Sequence, residues 1–148
     1  MNYRHAFHAG NFADVMKHAV LARIIEHLKR KPAPFRLLDL HAGTGLYDLF
    51  AAEAERTGEW RDGVGRLYRG GTCEPEPLPG PAEALIAPWR KVLGAVNDGA
   101  RLARYPGSPE FCRRLSRDED RLVFNELHPE DYASLTLASA RRTSLAAS

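Results

Sequence analysis

The sequence lacks long apolar runs and has few cysteines, and these absences exclude several classes of protein. No stretch approaches the ~20 apolar residues that a membrane-spanning helix needs. The segment Met1–His5 leads into no apolar run of the kind found in secretory signals. With only Cys73 and Cys112, the chain has no disulfide framework of the type that stabilises small secreted domains. We therefore expect a cytoplasmic protein with no membrane segment.

A strong excess of one charge is also missing. The formal net charge is +2, so total charge does not indicate a nucleic-acid partner. Basic residues cluster locally at 29–31, and arginines at 113, 114 and 117. Arginine suits phosphate because its planar guanidinium pairs with two oxygens at once. By charge alone, however, a solvated basic surface is the stronger interpretation.

The 148 residues suffice for one domain, and their clearest patterns predict one helix and two strands. Helical spacing extends from Asn11 to Arg30 and is followed by prolines. The predicted apolar face of this helix consists of Leu21, Ile24, Ile25 and Leu28. Short apolar runs predict buried strands over Phe35–Leu40 and Leu122–Glu126. The chain is therefore expected to be an α/β protein.

Weaker patterns describe the rest of the chain. They predict a helix over Leu46–Arg56, a short helix over Val64–Tyr68, an exposed loop over Gly70–Pro81 and a helix over Pro81–Val96. Residues 105–109 are typical of a turn, with Ser108 as the N-cap of a short helix. The stretch Ala133–Ser148 is rich in Ala, Ser, Thr and Arg, and we expect a weakly ordered segment or a frayed helix there.

The segment Leu37–Gly45 joins a predicted strand to a glycine turn and a helix. This arrangement brings backbone N–H groups close to a bound nucleotide-type cofactor, and glycine permits the close approach. The third glycine of the dinucleotide fingerprint is absent, since Leu46 follows Gly45. A site for S-adenosylmethionine (SAM), which carries no phosphate, is therefore favoured over a pyrophosphate site. A plain tight turn is the alternative.

Glu126, at the end of the second predicted strand, could accept hydrogen bonds from the ribose hydroxyls of such a cofactor. The usual offset from the glycine turn is ~20 residues, whereas Glu126 follows Gly45 by 81. An insertion must therefore separate the two elements. Taken alone, Glu126 is more simply explained as a surface carboxylate.

Six histidines raise the question of a metal site, which their spacing does not predict. No two histidines have the His-x-x-x-His spacing of a helical metal site, and neither cysteine is close to them in sequence. His18, on the first helix, and His41, in the glycine turn, are better candidates for polar contacts to a small ligand. For either one alone, a hydrogen-bonded core histidine is the default interpretation.

Taken together, these segments resemble the bacterial 23S rRNA adenine-N6 methyltransferases of the large-subunit methyltransferase J family. Five blocks match that family's motifs in order, and the resemblance extends from Met1 to about Leu135. The blocks are Tyr3–His18, Asp39–Gly45, Glu55–Glu59, Tyr105–Pro109 and Glu126–Pro129.

The resemblance implies a fold and a set of site residues. The fold would be a Rossmann-like, SAM-dependent methyltransferase fold with a small helical insertion after the first βα unit. The cofactor would be SAM and the substrate 23S rRNA. The residues aligned with the family's SAM contacts are His18, His41, Ser108 and Glu126. Tyr3 aligns with a residue placed to meet the RNA.

The sequence departs from the family in one respect. Family members continue through an Asp-Pro-Pro-Tyr motif that aligns the adenine amine with the SAM methyl group. No Pro-Pro dipeptide occurs in these 148 residues, so no catalytic residue is assigned here. We expect residues 1–135 to be the N-terminal part of the methyltransferase domain, with an insertion over about 57–104. Residues 136–148 would be a divergent tail, and the fold would be incomplete.

Two other functions stay open at this point. A non-catalytic module that binds adenosine-type ligands or RNA would also explain the missing motif. A nicotinamide-dependent oxidoreductase is less favoured because the third glycine is absent.

Overall fold

A computed structural model describes residues 4–143, in which short strands alternate with helices. The main elements are α1 (Phe12–Leu28), β1 (Arg36–Asp39), β2 (Leu46–Asp48), α2 (Ala52–Thr57), α3 (Gly80–Val96), β3 (Arg104–Pro106), α4 (Ser108–Leu115), β4 (Arg121–Phe124) and α5 (Pro129–Thr143). Single turns of 3₁₀ helix lie at His5–Phe7, Glu59–Arg61, Val64–Leu67 and Arg69–Gly71. The expected mixed α/β class is confirmed. Within the described residues, no helix has the length and apolar character of a membrane span.

The first helix begins as its sequence predicts. The Asn11 side chain caps it by accepting a hydrogen bond from the Asp14 backbone N–H at 2.9 Å. The predicted apolar face is only partly correct, because Ile25 is fully buried whereas Ile24 and Leu28 are exposed. The core-facing side includes two alanines, Ala19 and Ala22, which allow α1 to pack closely against α3 and α4.

The two predicted strands are confirmed as a parallel pair. β1 and β4 run in register from Arg36 opposite Arg121 to Asp39 opposite Phe124. Because both strands run in the same direction, their carboxyl ends meet at one edge, where the glycine turn and Glu126 begin. Helix α4 covers one face of this pair.

A second strand pair corrects two sequence predictions. Leu46–Asp48 was expected to begin a helix, and residues 105–109 to form a turn. Instead β2 and β3 pair antiparallel, with Tyr47 opposite Tyr105, and α2 begins only at Ala52. The physical reason is the burial of both tyrosine rings, which are at most 6% exposed.

The N-cap prediction at Ser108 is also wrong. Helix α4 begins at Ser108 itself, Gly107 is the N-cap, and Pro109 lies in the first turn. The Ser108 hydroxyl is not available as a cap because it donates to the Asp39 carboxylate at 2.6 Å. The serine thus joins the helix to the end of β1.

The segment between α2 and β3 contains three 3₁₀ turns and α3, whose predicted extent is confirmed. Its apolar side chains do not form a separate core. Trp60 and Trp89 belong to the same buried cluster as Ile25 and Phe111 of α1 and α4. Helix α5 extends across residue 135, and Leu135 is only 4% exposed.

Candidate functional site

A cavity of about 630 Å³ lies at the carboxyl ends of β1 and β4. Its volume is within the usual range for small-molecule sites. Four of the lining residues are those that the family resemblance implies for the cofactor: His18, His41, Ser108 and Glu126. They come from α1, the glycine turn, α4 and the segment after β4, so the fold brings together residues that are far apart in sequence. Tyr3, the residue expected to meet RNA, lies outside the described residues.

Glu126 connects the two loops that follow the parallel strands. Its Oε2 accepts a hydrogen bond from the Gly43 N–H at 2.7 Å, and its Oε1 accepts one from the His128 N–H at 2.7 Å. Burial alone would raise the pKa of Glu126, but these backbone N–H groups lower it. The side chain is therefore a carboxylate at neutral pH. Each oxygen retains a lone pair for a further donor.

The glycine turn packs tightly against Tyr47. Gly43 has a φ of 63°, and a Cβ built there would lie 2.1 Å from the Tyr47 hydroxyl oxygen. Only glycine satisfies both the left-handed backbone and this close approach. Tyr47 is itself buried, and burial raises its pKa. The turn is thus shaped by a side chain of β2, which also lines the cavity.

Asp39 is a site residue that the sequence reasoning did not single out. One carboxylate oxygen accepts the Ser108 hydroxyl at 2.6 Å, and the other accepts the His41 backbone N–H at 3.1 Å. The carboxylate therefore fixes the beginning of α4 relative to the glycine turn. Its position as the last residue of β1, immediately before that turn, was the available signal.

His18 is buried in the wall of the cavity. Its Nδ1 lies 3.0 Å from the Tyr105 hydroxyl, and its ring stacks on Phe111 with centroids 5.0 Å apart. Burial lowers the pKa of His18 to about 4, against the opposing effect of Asp14. At neutral pH the ring is uncharged, so one nitrogen donates and the other accepts. His41, by contrast, is exposed at the rim.

A charged cluster from the N-terminal segment also reaches the cavity. Asp14 is fully buried; one of its carboxylate oxygens lies 2.8 Å from His5 Nε2, and the other lies 2.9 Å from the Lys17 ammonium. Burial would raise the pKa of Asp14, but the His5 hydrogen bond and nearby charges lower it to about 2. His5 and Lys17 line the cavity. The sequence reasoning missed this cluster, although Asp14, Lys17 and His18 share helical spacing.

The described residues include no group of three His, Cys, Asp or Glu side chains placed to hold a metal ion. The ionic residues that line the cavity are Lys17, Glu126 and Asp131. This set, together with neutral His18 and the Ser108 hydroxyl, suits a polar organic ligand with both donor and acceptor groups.

Comparison with known proteins gives a consistent result. A family model described as ribosomal RNA large subunit methyltransferase D, RlmJ, matches residues 32–147. Proteins named ribosomal RNA large subunit methyltransferase J are similar to this chain. The one from Escherichia coli K12 is 47% identical over 135 residues, and the one from Haemophilus influenzae is 44% identical over 136. Each match covers 91% of this chain and 45% of the relative, so the chain spans less than half the length of these relatives.

A solved crystal structure is also similar. It is of a protein from Legionella pneumophila strain Philadelphia 1, with a TM-score of 0.74 and 36% sequence identity. The similarity covers 86% of this chain and 43% of that protein. These matches confirm the resemblance derived from the sequence. The chain belongs to the RlmJ family of ribosomal RNA large subunit methyltransferases.

Proposed function

We propose that this chain is the SAM-binding part of a methyltransferase that modifies the N6 amine of an adenine in 23S rRNA. The observation that carries the proposal is the convergence of His18, His41, Ser108 and Glu126 on one cavity at the carboxyl ends of parallel strands. Open α/β sheets bind nucleotide-type ligands at this edge. The parallel pair would then belong to a Rossmann-like sheet, and an rRNA substrate would place the activity in the cytosol.

The charges of the cavity fit SAM better than a dinucleotide. SAM carries a sulfonium, an ammonium and a carboxylate, whereas NAD carries a pyrophosphate. Lys17 is the only lysine or arginine in the described lining, and two carboxylates accompany it, those of Glu126 and Asp131. This balance suits a ligand with cationic groups and one carboxylate.

The residues can be assigned roles that follow from their contacts. Glu126 would accept hydrogen bonds from the ribose hydroxyls with the lone pairs that Gly43 and His128 leave free. His18 would donate to or accept from a polar atom of the cofactor. The Ser108 hydroxyl, which donates its hydrogen to Asp39, would accept from one, and His41 would close the exposed side of the site. When bound, SAM supplies an electrophilic methyl group. No residue of this chain is assigned to activate the adenine amine.

One sequence feature favours a second function for these 148 residues by themselves. They contain no Asp-Pro-Pro-Tyr motif, which the family uses to align the poorly nucleophilic adenine amine. By themselves, these residues would then bind an adenosine-type ligand or RNA without catalysing methyl transfer. Transfer of labelled methyl from SAM to protein-free 23S rRNA distinguishes the two functions.

Calorimetric titration of SAM into the purified chain tests the cofactor assignment. We expect Glu126→Ala to weaken SAM binding by roughly 10- to 100-fold, because hydrogen bonds to a charged group are lost. Glu26→Ala is the matched control, since its carboxylate forms only a surface ion pair with Lys29. Unchanged SAM affinity in a folded Glu126→Ala variant would contradict the assignment. Binding of NAD without binding of SAM would favour an oxidoreductase.

A further inference from the structure

A second cavity, of about 470 Å³, lies beside α2 and is separate in its lining from the first. Phe50, which precedes α2, and Trp60, which follows it, supply aromatic walls. Arg61 and Arg101 supply two guanidinium groups. None of these side chains has a role in the cofactor site described above.

Arg101 is held in place by stacking on an aromatic ring. Its guanidinium carbon lies 3.4 Å from the centroid of the Phe50 ring, a distance at which the two planar groups are in contact. The backbone at Arg101 is fixed as well, by a bridge to Thr72 and by a hydrogen bond from the Leu102 N–H to the Gly71 carbonyl at 2.9 Å. The cation is thus preorganised before any ligand binds.

Arg101 is exposed, and no carboxylate in the described part of the chain forms an ion pair with its guanidinium. Arg61 differs in this respect, because it lies over Trp60 at 4.9 Å and also pairs with Glu55 at 2.6 Å. Arg101 is therefore the stronger candidate to bind an anionic ligand.

The chemistry of the cavity matches single-stranded RNA. The guanidinium lies over the Phe50 ring on an exposed residue, so a nucleobase could stack on it and its N–H groups could bind a phosphate. Aromatic rings combined with arginine are the usual means of holding unstacked bases. A lone phosphate would make no use of the aromatic side chains, and the carboxylates of an acidic peptide would not stack on the guanidinium.

Hydrogen bonds join the segment beside the second cavity to the N-terminal turn that borders the first. The Thr57 hydroxyl at the end of α2 donates to the carbonyl of Phe7, and His8 Nδ1 lies 3.0 Å from the carboxylate of Glu59. The same N-terminal turn contributes His5 to the first cavity. An RNA strand held beside α2 would therefore lie next to the segment that borders the cofactor site.

We propose that the cavity between Phe50, Trp60, Arg61 and Arg101 binds a nucleotide of the rRNA substrate, with Arg101 contacting both a phosphate and a base. This inference rests on the proposed function, since it assumes that the substrate is RNA. It assigns the contact to a surface beside α2 rather than to the first cavity.

Filter binding of protein-free 23S rRNA to the purified chain, over a series of salt concentrations, tests this site. We expect Arg101→Gln to weaken binding several-fold and to reduce the slope of log Kd against log salt by about 0.7, the value for one phosphate of a single strand. Arg101→Lys should keep the slope but weaken binding, because an ammonium does not stack as a planar group. Arg23→Gln is the control, since it removes an equal charge from the exposed surface of α1.

The outcomes separate this site from the proposed function. The inference is overturned if Arg101→Gln and Arg23→Gln have the same affinity and the same salt slope, and rRNA binding then depends on other residues. It is also overturned if the unmodified chain binds SAM but no rRNA, a result that leaves the cofactor assignment intact. Failure to bind either SAM or rRNA would reject both proposals.

Discussion

The two faces of the β1–β4 pair differ sharply in what covers them. On one face, Leu37 and Phe124 pack against the hydrophobic core, and α4 lies over them. On the other face, Leu38 and Val123 stand opposite each other in register and are 58% and 46% exposed. Parallel sheets are ordinarily covered on both faces. Within the described chain only one face meets that expectation.

Helix α1 repeats this contrast. Ala22 and Ile25 are fully buried against the rest of the core. A second stripe at four-residue spacing is exposed and consists of Phe12, Met16, Val20, Ile24 and Leu28. A contiguous apolar surface of this kind is uncommon on monomeric proteins. The first cavity draws on the buried side of this helix through His18, together with α4 and the loops that follow β1 and β4.

The largest expected effect comes from adjacent isoleucines on the two faces of α1. Ile25→Ala should lower the free energy of unfolding by about 2–4 kcal/mol, because it leaves a cavity in the core. Ile24→Ala should lower it by less than about 1 kcal/mol, since that side chain is half exposed. Urea unfolding of both variants measures the difference. Equal losses would show that the outer stripe is covered in solution.

The next effect is the loss of stability at acid pH that His18, on the buried side of α1, should cause. The pKa of His18 is about 4 in the folded chain, below its ordinary value of 6.5. The unfolded chain therefore takes up a proton first, and stability should fall by on the order of 2 kcal/mol as the pH decreases from about 6.5 to about 4. His18→Gln should flatten this part of the profile of unfolding free energy against pH.

His27→Gln is the control for that measurement, because it removes a histidine from the exposed surface of the same helix. Its pH profile should follow that of the unmodified chain. If the His18→Gln profile were as steep as the parent's, the acid sensitivity would arise from another group, and the buried histidine would not be its source.

A third comparison concerns two glycines, one in the glycine turn and one in α3. Gly43→Ala should destabilise the chain by about 1–3 kcal/mol and weaken SAM binding, because the new methyl group meets the Tyr47 hydroxyl in a left-handed backbone. Gly94→Ala should instead stabilise it by up to about 1 kcal/mol, since Gly94 lies within α3 and a Cβ there has open space. Thermal unfolding compares the two. A neutral Gly43→Ala would mean that the turn relaxes away from Tyr47.

Sequence patterns predicted the parts of this fold whose signals are local. The apolar runs of β1 and β4 and the capped start of α1 each extend over several neighbouring residues, and all three are present. β2 and β3 were missed because three residues are too few to show a strand period. Their pairing depends on burying Tyr47 and Tyr105, which is a tertiary effect.

The residues of the candidate site could be named from the sequence, whereas their geometry could not. His18, His41, Ser108 and Glu126 were named from the family resemblance, and the structure places all four on one cavity. Their partners could not be inferred. That Ser108 binds Asp39 rather than capping α4 depends on how the helix meets the strand. The Asp14 cluster likewise requires His5 to fold back onto α1.

The segment between α2 and β3 carries both tryptophans of the chain, Trp60 and Trp89, and shares its core with α1 and α4. Neither indole lines the first cavity. Both tryptophans lie in the apolar cluster that includes Phe111, on which the His18 ring stacks. Their fluorescence should therefore report the unfolding of this shared core. On heating, tryptophan emission should change in a single cooperative transition, and the first cavity should be lost in the same transition.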